Sequence, residues 1–272
     1  MSEEVQLTRK LEDGILWLTI DRADAGNSLT ADMRDQLAAW FEEASSDLHV
    51  RSIVLTGAGE KAFCTGADLR SQRPGPPRPE GAPERATGDV ARLIQQGWQR
   101  LVVSILDCEK PVIGSINGTA AGGGMHLALA CDLVIASETA KFIEAFIRRG
   151  IAPDAAGAWL LTRLVGIQRA KELFFLGEDV SAQRALSLGL INYVVPGASL
   201  HAETLALASR LASAPTRAIA ITKALTNRSL DVDRATALLD EAWGQELVTT
   251  TEDMKEGVAA FVERRDPKFR GY

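Results

Sequence analysis

The chain has 272 residues, a formal net charge of -6, 46% apolar residues and 24% charged ones. Those figures exclude a disordered chain, a collagen-like repeat and a disulfide mini-protein. The acidic balance argues against a dedicated nucleic-acid binder, and no apolar run approaches the ~20 residues of a membrane span.

The opening segment MSEEVQLTRKLEDG is polar and acidic, which is unlike a secretory signal. ILWLTI (15–20) is a compact apolar run of strand length, and 21–28 reads as a turn. Thr30 caps a predicted helix whose apolar positions Met33, Leu37, Trp40, Phe41 and Ala44 recur at helical spacing. SIVLTG (52–57) reads as a buried strand stopped by glycine. Residues 71–88 carry five of the ten prolines and no apolar period, which predicts a loop or lid. A helix follows over 89–106, then strands at PVIGSI (111–116), DLVIA (132–136) and KFIEAF (141–146). From Ala155 the pattern turns helical, with Gly166, Gly177 and Gly189 where C-caps belong, and Thr251 caps a last helix. This order predicts an α/β body, residues 1–197, with a helical extension over 198–272.

Cys64, Cys108 and Cys131 are odd in number and far apart, and no C-x-x-C pair offers a metal site. They read as small apolar residues in a reducing, cytoplasmic setting. GAGEKA (57–62) matches a dinucleotide pattern, but FCTGADL does not continue as a helix, so the match is discarded.

Two glycine turns carry more. In KAFCTGADLR (61–70), Gly66 permits a sharp bend that aims the amide of Ala67 outward. In INGTAAGGGMHLALACDLVIA (116–136), Gly122–Gly124 open an apolar helical run whose first amides lack intrahelical partners. One amide from each turn would make an oxyanion hole, although both segments are equally readable as plain tight turns.

FCTGADL together with NGTAAGGGMHLALACDLVIA resembles the enoyl-CoA hydratase/isomerase (crotonase) family, and the resemblance spans nearly the whole chain. It implies a spiral of ββα units, a C-terminal helical trimerisation segment, and a homotrimer or dimer of trimers. It implies an acyl-CoA thioester substrate held at its carbonyl oxygen by the amides of Ala67 and Gly123. It implies no cofactor beyond the coenzyme A that the substrate carries. Carried over likewise, Arg22, Ala25, Thr65, Asp68 and Leu69 line the CoA site. Phe261 and Arg264 approach the adenine or its phosphate, from this chain or a neighbour.

The chain departs from the family where hydration is done. Hydratases of this family place a glutamate two residues after the GGG run and another twenty residues later. Here those positions are His126 and Phe146. His126 is able to move a proton, or else is a packed core residue, whereas Phe146 can only wall the acyl pocket. Asp154, in GIAPDAAGAWLL, occupies a segment resembling the one where dienoyl-CoA and ring-epoxide isomerases and aroyl-CoA dehalogenases carry a functional aspartate. Its alternative role is to cap the next helix. Glu144 faces the pocket, solvent or a subunit contact on the predicted strand. Trp159, and more weakly Trp98, are candidate acyl-pocket walls. The expected reaction is double-bond isomerisation with Asp154 as base. Hydration by a His126/Asp154 pair, acyl-CoA hydrolysis, a silent CoA-ester binder and an RNA-binding relative are the alternatives.

Overall fold

A computed structural model describes residues 6–70 and 78–272. The chain opens with β1 (Leu7–Glu12) and β2 (Ile15–Ile20), paired antiparallel, and continues through α1 (Ala31–Ser46) to β3 (Ser52–Gly57) and β4 (Ala62–Cys64). Next come α2 (Asp89–Ile94), a π-helical turn (Gln95–Gln99) and α3 (Arg100–Leu106). Strands β5 (Val112–Ile116) and β6 (Thr119–Ala121) precede the short helix α4 (Gly123–Leu129), and β7 (Leu133–Ser137) and β8 (Lys141–Ile143) follow it. The chain then runs through α5 (Gly157–Val165), α6 (Ile167–Leu176), β9 (Asp179–Ser181), α7 (Ala182–Ser187) and β10 (Tyr193–Val195). It ends with α8 (Leu200–Ala212), α9 (Thr216–Arg228), α10 (Arg234–Thr249) and α11 (Glu252–Glu263).

The strands alternate between two sheets. β3, β5 and β7 lie in a six-stranded sheet ordered β1-β2-β3-β5-β7-β10, and β4, β6 and β8 lie in a four-stranded sheet ordered β4-β6-β8-β9. These three visits to the large sheet are each followed by one to the small sheet and then by helix, which is a spiral of ββα turns. The parallel pairs β3–β5 and β5–β7 require such crossovers. Their residues are buried almost throughout, so they read as continuous apolar runs.

Local signals account for the helix ends. Thr30 Oγ1 accepts from the Met33 amide at 3.3 Å, and Thr251 Oγ1 from that of Met254 at 3.1 Å. Gly177 closes α6 in the left-handed region, φ +57°. β1 escaped the sequence reading because it is an edge strand with one half-buried residue and five exposed ones. The strand expected over 141–146 stops at Ile143, where the chain leaves the small sheet and turns. Of the expected loop 71–88, residues 71–77 lie outside the described residues, and 78–88 carry turns and bends but no helix or strand.

α8 buries Leu200, Ala208 and Ala212 against Ile15, Val54, Ile113 and Ile135 of the large sheet. α9 is fastened by the buried Lys223, whose Nζ donates to the Ile105 carbonyl at 2.8 Å and the Asp132 carboxylate at 2.8 Å. No helix among the described residues is long and apolar enough to cross a membrane.

Candidate active site

The two glycine turns meet. A parallel bridge joins Leu29 to Ala67: the Leu29 amide donates to the Gly66 carbonyl at 2.9 Å, and the Asp68 amide to the Leu29 carbonyl at 2.9 Å. In a parallel bridge the flanking residues make the bonds, so the N–H of Ala67 itself points the other way. Ala67 and Gly123, at the start of α4, line one cavity. Gly66 has φ +96°, and a Cβ on it would lie 3.1 Å from the Ala121 carbonyl oxygen and 3.3 Å from the Gly123 nitrogen. A Cβ on Gly124 would lie 2.0 Å from the Cys64 carbonyl oxygen. These glycines let the two backbones touch. Gly123 is the first residue of α4, where amides have no intrahelical acceptor.

A cavity of about 140 Å³ opens at this junction, lined by Thr65, Gly66, Ala67, Leu69, Gly122 and Gly123 on the turn side. The opposite side is Trp98, Ala145, Phe146, Arg149, Ile151 and Asp154. The indole of Trp98 lies against Gly123, where an added Cβ would come within 2.9 Å of the ring. Trp98 sits in the π-helical turn, a local widening that is common at functional sites.

Asp154 is half-buried, and burial pushes its carboxyl above the ordinary range, an effect opposed by the nearby charge of His126. It does not cap α5, because Ala156 holds the cap position at φ +58° with no side-chain cap bond. His126 does not line the cavity. It is fully buried, its Nε2 lies 3.1 and 3.0 Å from the two Glu144 oxygens, and its ring stacks on Phe146 at 5.0 Å. Glu144 is 2% exposed, so it faces neither pocket nor solvent but this imidazole.

Trp159 is a correction: it lies outside this cavity, in a groove between α5 and α9, with the Arg163 guanidinium 4.0 Å over its ring. The reason is helical rotation. Gly157 faces His126, and about 100° per residue turns Trp159 roughly 200° away.

The CoA-site candidates near the turns come together on one rim. Arg22 donates to Asp68 at 2.9 Å and to the Ser28 carbonyl at 2.8 Å, which holds the Asp68 carboxyl below its usual range. Thr65 Oγ1 donates to the carbonyl of Gly26, the residue after Ala25, at 3.0 Å. Leu69 is 72% exposed at the cavity edge. Phe261 and Arg264 are not among the cavity-lining residues; Phe261 is 85% exposed on α11 and Arg264 ends that helix in the left-handed region. Sequence reasoning missed Ala145, Arg149 and Ile151 as cavity walls. The last two belong to the loop that delivers Asp154, so that loop was the available signal. Among the described residues no cluster of His, Cys, Asp and Glu is arranged to hold a metal.

The family described as enoyl-CoA hydratase/isomerase matches residues 10–272. The chain belongs to that family. A probable enoyl-CoA hydratase of Rhodobacter capsulatus is 37% identical, covering 96% of each chain. The 1,2-epoxyphenylacetyl-CoA isomerase of Escherichia coli is also 37% identical, over 96% of this chain and 97% of that one. Among solved structures, a putative enoyl-CoA hydratase from Streptomyces coelicolor superposes with a TM-score of 0.89 at 34% identity, covering 100% of this chain and 96% of that one. The enoyl-CoA hydratase of Bacillus anthracis does so with 0.88 at 33%, over 98% and 100%. The fold is therefore the crotonase fold, and the protein is an acyl-CoA enzyme of the hydratase/isomerase class.

Proposed function

We propose that the chain is an acyl-CoA isomerase that moves a double bond through a thioester enolate, with Asp154 as its one acid/base group. The observation that carries this is the placement of Asp154 on the wall of the cavity that Ala67 and Gly123 also line. In this reading the Asp154 carboxylate takes a proton from the substrate carbon chain. The freed electron pair moves onto the thioester oxygen, which accepts from the amides of Ala67 and Gly123. Asp154 then returns the proton at the other end of the allylic system, and the double bond has shifted. Two preorganised donors contribute on the order of 10²–10³ in rate each. A carboxyl raised above its ordinary range makes a better base near neutral pH.

Hydration by a His126/Asp154 pair asks His126 to touch a water in the cavity. A fully buried imidazole held by Glu144 and stacked on Phe146 supports isomerisation instead. Likeness to an epoxyphenylacetyl-CoA isomerase supports it too.

We read Arg22, Ala25, Thr65, Asp68 and Leu69 as the rim that takes the CoA moiety, and Phe261 and Arg264 as contributors from the C-terminal helices, including those of a neighbour. A trimer, or a dimer of trimers, is supported by Leu239, Trp243 and Leu247, which form an exposed apolar stripe on α10. A cytoplasmic, reducing setting is supported by three free buried thiols.

The test is deuterium exchange from heavy water into 3-hexenoyl-CoA and phenylacetyl-CoA. Asp154→Asn should lose about 10²–10⁴ of the rate while CoA-ester binding persists. Exchange at the parent rate in that variant would overturn the assignment. No exchange by the parent with any ester would favour a silent binder.

A further inference from the structure

The buried pair of Glu144 and His126 has no place in the reaction drawn above, although it sits directly behind the reacting wall. Both side chains are out of water, with 1% of the Glu144 and none of the His126 side chain exposed. Both carboxylate oxygens of Glu144 lie within 3.1 Å of Nε2, an arrangement in which a carboxylate accepts from an Nε2–H. Nδ1 is buried with no hydrogen-bond partner among the described residues. A buried polar atom of a purely structural side chain is normally paired.

The ring also touches the segment that delivers Asp154. A Cβ added to Gly157 would lie 1.9 Å from Nε2, so the first residue of α5 rests against the imidazole. Between them, Ala155 is fully buried and Ala156 is held at φ +58°, a conformation that a non-glycine residue keeps only under outside constraint. On the other side Phe146 stacks on the ring at 5.0 Å and turns toward the cavity. Phe174 meets it edge-on at 6.5 Å and carries no charge.

We propose that Glu144 and His126 are a positioning pair for Asp154: Glu144 fixes the imidazole, and the imidazole seats the loop and supplies the charge against which Asp154 ionises. The inference rests on Asp154 being the base. A carboxylate against Nε2 opposes the burial penalty on a positive ring, and a positive ring favours the ionised, proton-accepting Asp154. Besides His126, the charge that faces Asp154 across the site is Arg34 of α1, and Arg149 lines the same cavity. Neither touches the imidazole, so their contribution stays constant when Glu144 is changed.

The sign of the effect follows. Asp154 takes a proton only as a carboxylate, so the rate climbs as pH rises through its pKa. In Glu144→Gln the ring loses its counter-charge, turns neutral at lower pH, and ceases to favour the Asp154 carboxylate. The ascending limb of kcat then moves to higher pH while KM stays near the parent value. A pair that only packed the loop would lower kcat equally at every pH and leave the limb in place, and that result overturns the proposal.

A second measurement needs no turnover. The chain has three histidines, and His49 and His201 are exposed, so the buried ring is identified in nitrogen-15 imidazole spectra by its absence in His126→Gln. The His126 resonance should show the proton on Nε2 in the parent. Its titration midpoint should fall by about 1–3 pH units in Glu144→Gln and by less in Asp154→Asn. A ring that titrates identically in the parent and in Asp154→Asn has no charge coupling to that residue and sinks the pair. Asp154→Asn turning over at the parent rate sinks the base assignment instead, so the two failures are distinguishable.

Discussion

The junction of the two glycine turns and the C-terminal helices are built on opposite principles. At the junction the decisive feature is missing side chains: Gly123 and Gly124 let indole and carbonyl approach within distances that real Cβ atoms essentially never show, and Gly66 sits at φ +96° with backbone 3.1 Å from where its Cβ would be. Along α10 the decisive feature is surplus side chains. Only Gly244 of that helix is buried, while Leu238, Leu239, Trp243 and Leu247 are each more than half exposed. The first region is closed by contacts of the chain with itself. The second leaves an apolar stripe exposed, the one we propose as an assembly surface.

The sharpest way to break this contrast is Gly124→Ala. The new methyl would meet the Cys64 carbonyl at 2.0 Å, and backbone cannot yield as a side chain does. A loss of about 3 kcal/mol or more is expected, read as a lowered unfolding midpoint in urea. Parent-like stability would mean that the turns do not touch.

Lys223→Met probes where the self-contained part ends. It removes the cation that ties α9 to Ile105 and Asp132 of the core. About 2 kcal/mol should be lost. Burial already holds the Asp132 carboxyl above its ordinary range. Without Lys223 its folded pKa rises further, so the folded state holds a proton that the unfolded chain releases. Stability then grows as pH falls, and the deficit should be larger at pH 8 than at pH 5. A deficit independent of pH would show that the ion pair is not what fastens α9.

Trp243→Glu tests the uncovered region. Light scattering should report smaller particles, while the isolated chain changes by no more than about 0.5 kcal/mol. Unchanged mass would remove the stripe from the assembly surface.

The smallest effect concerns the thiols. Burial pushes Cys64 up to about 12 and raises Cys108 and Cys131 as well. Ellman's reagent at pH 8 should label none of them until the protein unfolds, because the reactive species is the thiolate. Rapid labelling of the native protein would show that the core opens.

Much was legible because it was local or carried by a contiguous motif. A threonine three residues before a paired amide, a glycine after the last apolar turn and an unbroken apolar run each act within a few residues. FCTGADL and the GGG run located the cavity walls, and the ββα spiral followed from the resemblance they carry. What the sequence could not decide was direction. Nothing in GGGMHLALA tells whether His126 turns to the cavity or to the core, and nothing in KFIEAF tells that the strand ends at Ile143 and delivers Glu144 to that ring. Trp159 stood near Asp154 in the chain yet faces the opposite side of α5. By itself, then, the sequence determined the family, the central strands and most helices, while the short strands β4, β6, β9 and β10 and the edge strand β1 escaped it. Only the tertiary structure decided which side chains share the cavity with Ala67 and Gly123. That choice depends on helix rotation and on packing between segments about twenty to thirty residues apart, and local propensity carries no information about either.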